Sequence, residues 1–477
     1  MKPKAKAKNK VVQGITNFFK SAANELKSFV KIFVTGSAAT KLSYIIFGFG
    51  NLVRGQIVRG LMFLAFQAAF IYYMITTGVG WIAKLDNLGD VGAHDEYDPI
   101  LDVFVRVDGD NSFTILLYGG ISVLLCVVCF FIWRMSFHQS YENDLLIRQE
   151  KAIPKFKDDL KDIVDAKFHR TLLTIPVIGI FVFTVFPILF MIFVAFTSYD
   201  GAHDGYSNLF TWTGWNNFME LFNTKSSNLG YAFLHILGWT LVWAFFATFT
   251  NYFLGMLLAM LINKKGIKLK KMWRGIFVMT IAIPQFISLL YMSKLFAKNG
   301  MINKILLSTG LLDTPFDFWA NTTASRILVI AINIWIGVPY LMLIATGILM
   351  NIPDDLYESA RIDGANPWQQ YVKITLPYML FITGPYLLTS FIGNINNFNV
   401  IYLLAGGAEP NPKLLTTGGN ASDVDLLITW LFKITTGTES NYKLASVIGI
   451  LIFIVVSVIS VIGFNLMPSN KNEEDFQ

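Results

Sequence analysis

Tyr357-Glu358-Ser359-Ala360-Arg361-Ile362-Asp363-Gly364-Ala365, followed by Ile374-Thr375-Leu376-Pro377, is the stretch whose reading decides the fold. It is polar and helix-prone, and it separates two apolar segments each long enough to cross a bilayer. Pro353-Asp354-Asp355 supplies a helix start with acids in the first turn, where the helix dipole favours them. Gly364 supplies a stop, and Asn366-Pro367 prevents direct continuation. The spacing predicts a short helix at a membrane surface, able to transmit movement only by packing into another protein.

Working outward, the chain is 54% hydrophobic, 15% charged and 15% aromatic, which is not a soluble composition. Eight apolar segments fall near 60–82, 113–134, 171–197, 234–262, 274–295, 327–350, 379–401 and 444–467. The expected fold is an all-α polytopic membrane protein with eight transmembrane helices. Pro284 interrupts the fifth segment and is expected to break it locally, exposing backbone groups to a cavity. With both termini placed in the cytoplasm, the inner segments carry 28 of the 38 Lys and Arg. That asymmetry satisfies the positive-inside rule and puts Glu358 on the inner side. The net charge of +6 is therefore topological, not a nucleic-acid signal.

Glu358, Ala360, Asp363, Gly364 and the Ile374-x-Leu376-Pro377 ending resemble the EAA loop of ABC importer permeases, which docks in a groove of the ATPase subunit. Ser359 stands where the first of two alanines is usual, and Ser is also small. Four apolar segments precede the loop and two follow it within 171–468. A six-helix core of this kind is similar to the binding-protein-dependent sugar permeases. Two leading spans narrow the resemblance to the maltose-type subunit with eight spans. The implied division is a basic tail and amphipathic segment over 1–60, two leading spans over 61–134, and a cytoplasmic linker over 135–170. The permease core follows at 171–468 with its coupling loop at 351–377, then a tail at 469–477.

Two spans carry polar residues on one helical stripe. Asn333, Gly337 and Tyr340 fall at i, i+4, i+7, and Ser390, Asn394 and Asn397 repeat that spacing. Uncharged amides, hydroxyls and an aromatic ring suit a hydroxyl-rich neutral ligand, with Gly337 leaving room beside the Tyr340 ring. Amides also glue membrane helices together, and the stripe by itself is equally consistent with that role. The resemblance implies that these six positions line an intramembrane sugar site. It also places Gln285 where the family has a small hydroxyl residue, and Ile281 where it has an aromatic one.

Other features carry two readings each. Residues 11–35 place Val12, Ile15, Phe18, Phe19, Leu26, Phe29, Val30 and Phe33 between lysines, to lie on anionic headgroups or to pack on the spans. Eight carboxylates between Asp86 and Asp110 lack the EF-hand spacing and read as a solvated outer loop. Cys126 and Cys129, the only cysteines, sit inside an apolar span without further ligands and read as packing residues. The aromatics and asparagines of 198–233 suit a partner surface or an interfacial belt. No cleavable signal peptide is expected, because the first strongly apolar run begins far from the start and is long enough to remain a span.

These features bear on three function classes. A permease driven by a separate ATPase agrees with the docking loop and with the lack of a G-x-x-x-x-G-K-[ST] loop. An ion-coupled secondary transporter usually needs ionisable groups near the midplane, and no Asp or Glu lies deep in any span. A membrane enzyme needs a nucleophile–base pair or a metal triad, and the five histidines are scattered. The expectation is a maltodextrin-type permease in a bacterial cell membrane, or one for galacto- or raffinose-type oligosaccharides or another uncharged solute. The resemblance implies a second homologous permease, two ATPase subunits, an extracytoplasmic sugar-binding protein and contact with lipid. No cofactor is expected on this chain; ATP and magnesium belong to the partner ATPases.

Overall fold

The computed structural model describes residues 24–467 apart from 167, 223–227, 265, 417–418 and 438, together with 16 and 20. Seven helices are long and apolar enough to cross a membrane, and a bent pair makes an eighth candidate. In chain order the spans are Ile57–Ala83, Ser112–Arg148, Thr171–Ala195, Leu229–Asn263, the pair Lys270–Ala282 and Gln285–Leu295, Thr322–Leu349, Pro367–Ile395 and Tyr442–Leu466. Asn111, Asn321 and Asn441 start the second, sixth and eighth, each side chain accepting the backbone N–H three residues on. Such caps are each worth about 1 kcal/mol. Asn321, formally a glycosylation sequon, is thus a helix cap.

The contacts form two compact units, one holding the described residues up to Phe190 with Asp204–Thr211, the other Met191–His203 and those from Trp212 on. In the first unit the second span differs from expectation. It runs 37 residues, about 55 Å, well beyond the ~30 Å hydrocarbon core. The first part of the expected linker 135–170 is therefore a continuation of this helix, with a separate helix, Phe156–Val164, after it. The cause is a polar stripe, Ser136, Ser140, Asn143 and Asp144, buried against residues 37–56. Asp144 accepts from the Thr40 hydroxyl at 2.6 Å and the Ser37 N–H at 2.9 Å, and it pairs with Arg54. Gln56 accepts from Asn51 and Asn143, both at 2.8 Å, and donates to the Pro154 carbonyl.

Residues 24–35 are helical and pack on the second span: Phe29 lies 5.0 Å from Tyr44 and 5.5 Å from Trp133 between ring centroids. For this part of the amphipathic segment, packing is what is observed. Val12, Ile15, Phe18 and Phe19 lie outside the described residues. The acidic connection between the first two spans contains an antiparallel hairpin, β1 (His94–Asp98) and β2 (Val103–Val107), in register from His94↔Val107 to Asp98↔Val103. It is held to 204–211 by Ala93 N–H donating to Tyr206 O at 2.9 Å and Tyr206 OH donating to Asp108 at 2.6 Å.

In the second unit the fourth span is the axis, with buried residues from Leu229 to Ile262. Three apolar tiers stack along it. The first joins Leu229 and Ile236 to Trp430 and Leu444; the second joins Trp243 to Val329 and Val400; the third joins Tyr252 and Met256 to Met342 and Met379. The fifth span bends by 85° between Ala282 and Gln285, as Pro284 predicts. The seventh ends at Ile395, earlier than expected, and a separate helix, Phe398–Ala405, follows the Asn396–Asn397 break.

Candidate functional site

The helix read from the opening stretch is Asp354–Ile362, with Asp354 and Asp355 in its first turn and Arg361 in its last. Gly364 has φ +77°, the left-handed conformation that favours glycine. Its N–H bonds Arg361 O at 3.1 Å and the Ala365 N–H bonds Ala360 O at 2.8 Å, the paired closure of a Schellman motif. Asn366 then caps the next helix reciprocally with Gln369, and Pro367 takes its first position. Glu358 and Asp363 are exposed, while Ile362 is 86% and Trp368 70% exposed. Charged and apolar side chains together make a surface suited to a protein groove. Tyr357 OH meets Thr375 Oγ1 at 2.8 Å, tying this helix to the base of the seventh span. Leu376 packs into the third tier, beside Tyr252 and Met256, and Pro377 follows it at the start of the regular helix.

A cavity of about 350 Å³ opens at the break in the fifth span, lined by Ile281, Gln285, Ser288, Trp335, Gly337 and Tyr340 among others. Its size lies at the small end of ligand cavities, about 300–1,000 Å³. Three predicted residues, Gln285, Gly337 and Tyr340, thus share one wall-lined space. Ser390 is not among the residues lining this cavity. Ser288 and Trp335 line it too, brought there by the break in the fifth span, which residue spacing within one helix does not report.

Asn333, Asn394 and Asn397 do not line that cavity. Asn394 donates to Thr248 Oγ1 at 3.0 Å and its carbonyl accepts the Trp243 indole N–H at 3.1 Å. Asn397 donates to the Asn394 side chain at 3.1 Å and caps the Phe398–Ala405 helix through the Val400 N–H. Here these two amides serve helix packing. The space left by the missing side chain of Gly337 is filled by Asn251: a Cβ there would stand 2.2 Å from its Nδ2. Asn251 Oδ1 and Asn333 Nδ2 are buried without a hydrogen-bond partner among the described residues. Thr248, Asn251 and Gly255 fall at i, i+3, i+7 on the fourth span, a polar and small-residue stripe of the same kind.

At one end of the fourth and sixth spans, Asp423 gathers Thr322 Oγ1 at 2.6 Å and Asn411 Nδ2 at 2.8 Å, and its backbone carbonyl accepts Arg326 Nε at 2.9 Å. Burial opposes ionisation of Asp423, but those bonds and the Arg326 charge outweigh it and hold its carboxyl below the usual range. His235 Nε2 lies 3.2 Å from Arg326 and 3.5 Å from Asp423. This knot pins the loop before Leu427 to both spans.

The family described as "Binding-protein-dependent transport system inner membrane component" matches residues 251–468. The chain is 30% identical over 437 residues to the maltodextrin transport system permease protein MdxF of Bacillus subtilis, covering 90% of this chain and 95% of that one. This chain belongs to the maltose-type permeases of ABC importers. The permease is also 31% identical to the galactooligosaccharides transport system permease protein GanP of Bacillus subtilis, over 90% of this chain and 97% of that one. A bacterial alginate ABC transporter, solved in complex with an alginate pentasaccharide-bound periplasmic protein, shares the fold at a TM-score of 0.51 and 21% identity. That match covers 65% of the permease and 98% of the solved chain. The permease is a multi-pass membrane transport component.

Proposed function

We propose that this permease is one transmembrane half of an importer for maltodextrin-like oligosaccharides. Its core is 171–468, both termini lie in the cytoplasm, and it pairs with a second homologous permease. Two ATPase subunits bind ATP and magnesium; this chain hydrolyses nothing. Closure of those subunits on ATP moves Asp354–Ile362, and the movement passes through the Tyr357–Thr375 contact into the seventh span. The cavity at the broken fifth span then receives a sugar from an extracytoplasmic binding protein. What carries the reading is the exposed helix bearing Glu358, closed by Gly364 and bonded to the span that follows it.

The test is uptake by the reconstituted complex, driven by ATP and without an ion gradient. Glu358→Lys abolishes uptake while the protein still reaches the membrane; full transport by that variant refutes the coupling role. The likeness to the galactooligosaccharide permease favours a second substrate reading. A panel of labelled maltodextrins and galactooligosaccharides separates the two by which competes for uptake.

A further inference from the structure

Residues 86–110, between the first two spans, hold eight carboxylates against one arginine. From this acidic setting the β1–β2 hairpin carries a strongly apolar tip: Ile100 is 91% exposed, Phe104 73% and Leu101 63%. The tip is built, not frayed. Asp98 Oδ1 accepts the backbone N–H groups of Ile100 at 2.8 Å and Leu101 at 3.2 Å, and the Tyr97 hydroxyl donates to Asp102 at 2.5 Å. Tyr97 and Phe104 meet edge to face across the strands, with ring centroids 5.5 Å apart. Both faces of the hairpin are open, and its described anchorage is at the base, where Arg106 donates to Ser207 at 3.0 Å and Tyr206 to Asp108. A two-stranded hairpin is marginal alone, and a projecting apolar tip marks a contact surface.

Charge selects what covers it. An anionic lipid surface repels a segment with eight acids, and a second copy of this chain would set the same acids against each other. The fitting partner offers an apolar centre rimmed by Lys and Arg. On the reading given under Proposed function, the protein that must reach this side of the membrane is the binding protein. We infer that the tip Tyr97–Phe104 is a docking surface for that binding protein, engaged through a basic, partly apolar patch.

The test uses the whole reconstituted complex with Cys126 and Cys129 replaced by Ser, and an environment-sensitive fluorophore on Ile100→Cys. The probe is the purified binding protein encoded with this permease, loaded with maltotriose. The expected result is a blue shift only when that protein is added, weakened at higher salt. Leu101→Ser with Phe104→Ser raises the concentration giving half-maximal uptake about ten-fold, the equivalent of about 1.4 kcal/mol, with the maximal rate unchanged. Phe104→Tyr restores the original value. A blue shift in lipid before any protein is added puts the tip in the bilayer and overturns the inference. So does unchanged fluorescence while uptake runs. If the unlabelled complex takes up no sugar from its binding protein, the proposed function itself falls, a result separate from these two.

Discussion

Gly337→Ala tests the packing of the fourth span against the sixth. An added Cβ meets Asn251 Nδ2 at 2.2 Å, its Cγ at 2.8 Å and its Oδ1 at 3.1 Å, so one side chain or backbone must move. Overpacking of this kind costs about 1–3 kcal/mol, against a helix-propensity gain of about 1 kcal/mol for alanine over glycine. The net loss is up to about 2 kcal/mol. In an Asn251→Ala background the obstructing amide is gone, and the same substitution becomes stabilising by about 1 kcal/mol. The change of sign is the signature of direct coupling. Thermal unfolding of the purified protein in detergent, for the parent, both single variants and the double variant, gives the four midpoints. An equal fall in midpoint from Gly337→Ala in both backgrounds would falsify the claim that Asn251 fills the notch. A loss of sugar affinity without any midpoint change would mean that a ligand, not Asn251, needs the space.

Two further expectations follow from the described geometry. Gly364→Ala strains a residue at φ +77° by about 1–2 kcal/mol; ATP-driven uptake falls while the midpoint of unfolding shifts little, because the helix it closes is exposed. Asp200 receives Lys443 Nζ at 2.8 Å and the His203 ring at 2.9 Å. Burial opposes its ionisation, yet those partners hold its carboxyl down at about 2, below the usual carboxylate range. A depressed carboxyl stabilises the fold fully above its unfolded value, and that contribution, about 1–2 kcal/mol, is lost as pH falls from about 4 to 2. Asp200→Asn lowers the midpoint at pH 7 and flattens the acid slope in that window; an unchanged slope refutes the pairing.

The spans and the Asp354–Ile362 helix were legible because their signals are local. Hydropathy over about twenty residues needs no knowledge of neighbours, and Gly364 and Pro367 punctuate the chain by their own backbone preferences. The broken fifth span was legible for the same reason, through Pro284. The polar stripes were half legible. Spacing put Asn333, Gly337 and Tyr340 near one another, but which faces a cavity and which faces a helix depends on a residue 86 positions away, Asn251. The hairpin stayed hidden because its period-two pattern, Val103, Val105 and Val107, has His94, Glu96 and Asp98 opposite it. Carboxylates in quantity read as solvent-facing whatever the backbone does. The overlong second span was missed because Ser136, Ser140, Asn143 and Asp144 look polar until Arg54 and Thr40 are placed beside them.

The 85° bend at Pro284 has a consequence for how such a carrier diversifies. Interrupting a helix at mid-depth leaves carbonyls from one half and amide hydrogens from the other without their usual mates. These belong to the main chain, so drift at Ile281 or Gln285 leaves them in place. On the proposed function, a lineage can retune which cargo it prefers by exchanging side chains, while the main-chain groups that would meet a hydroxyl-bearing passenger stay in place.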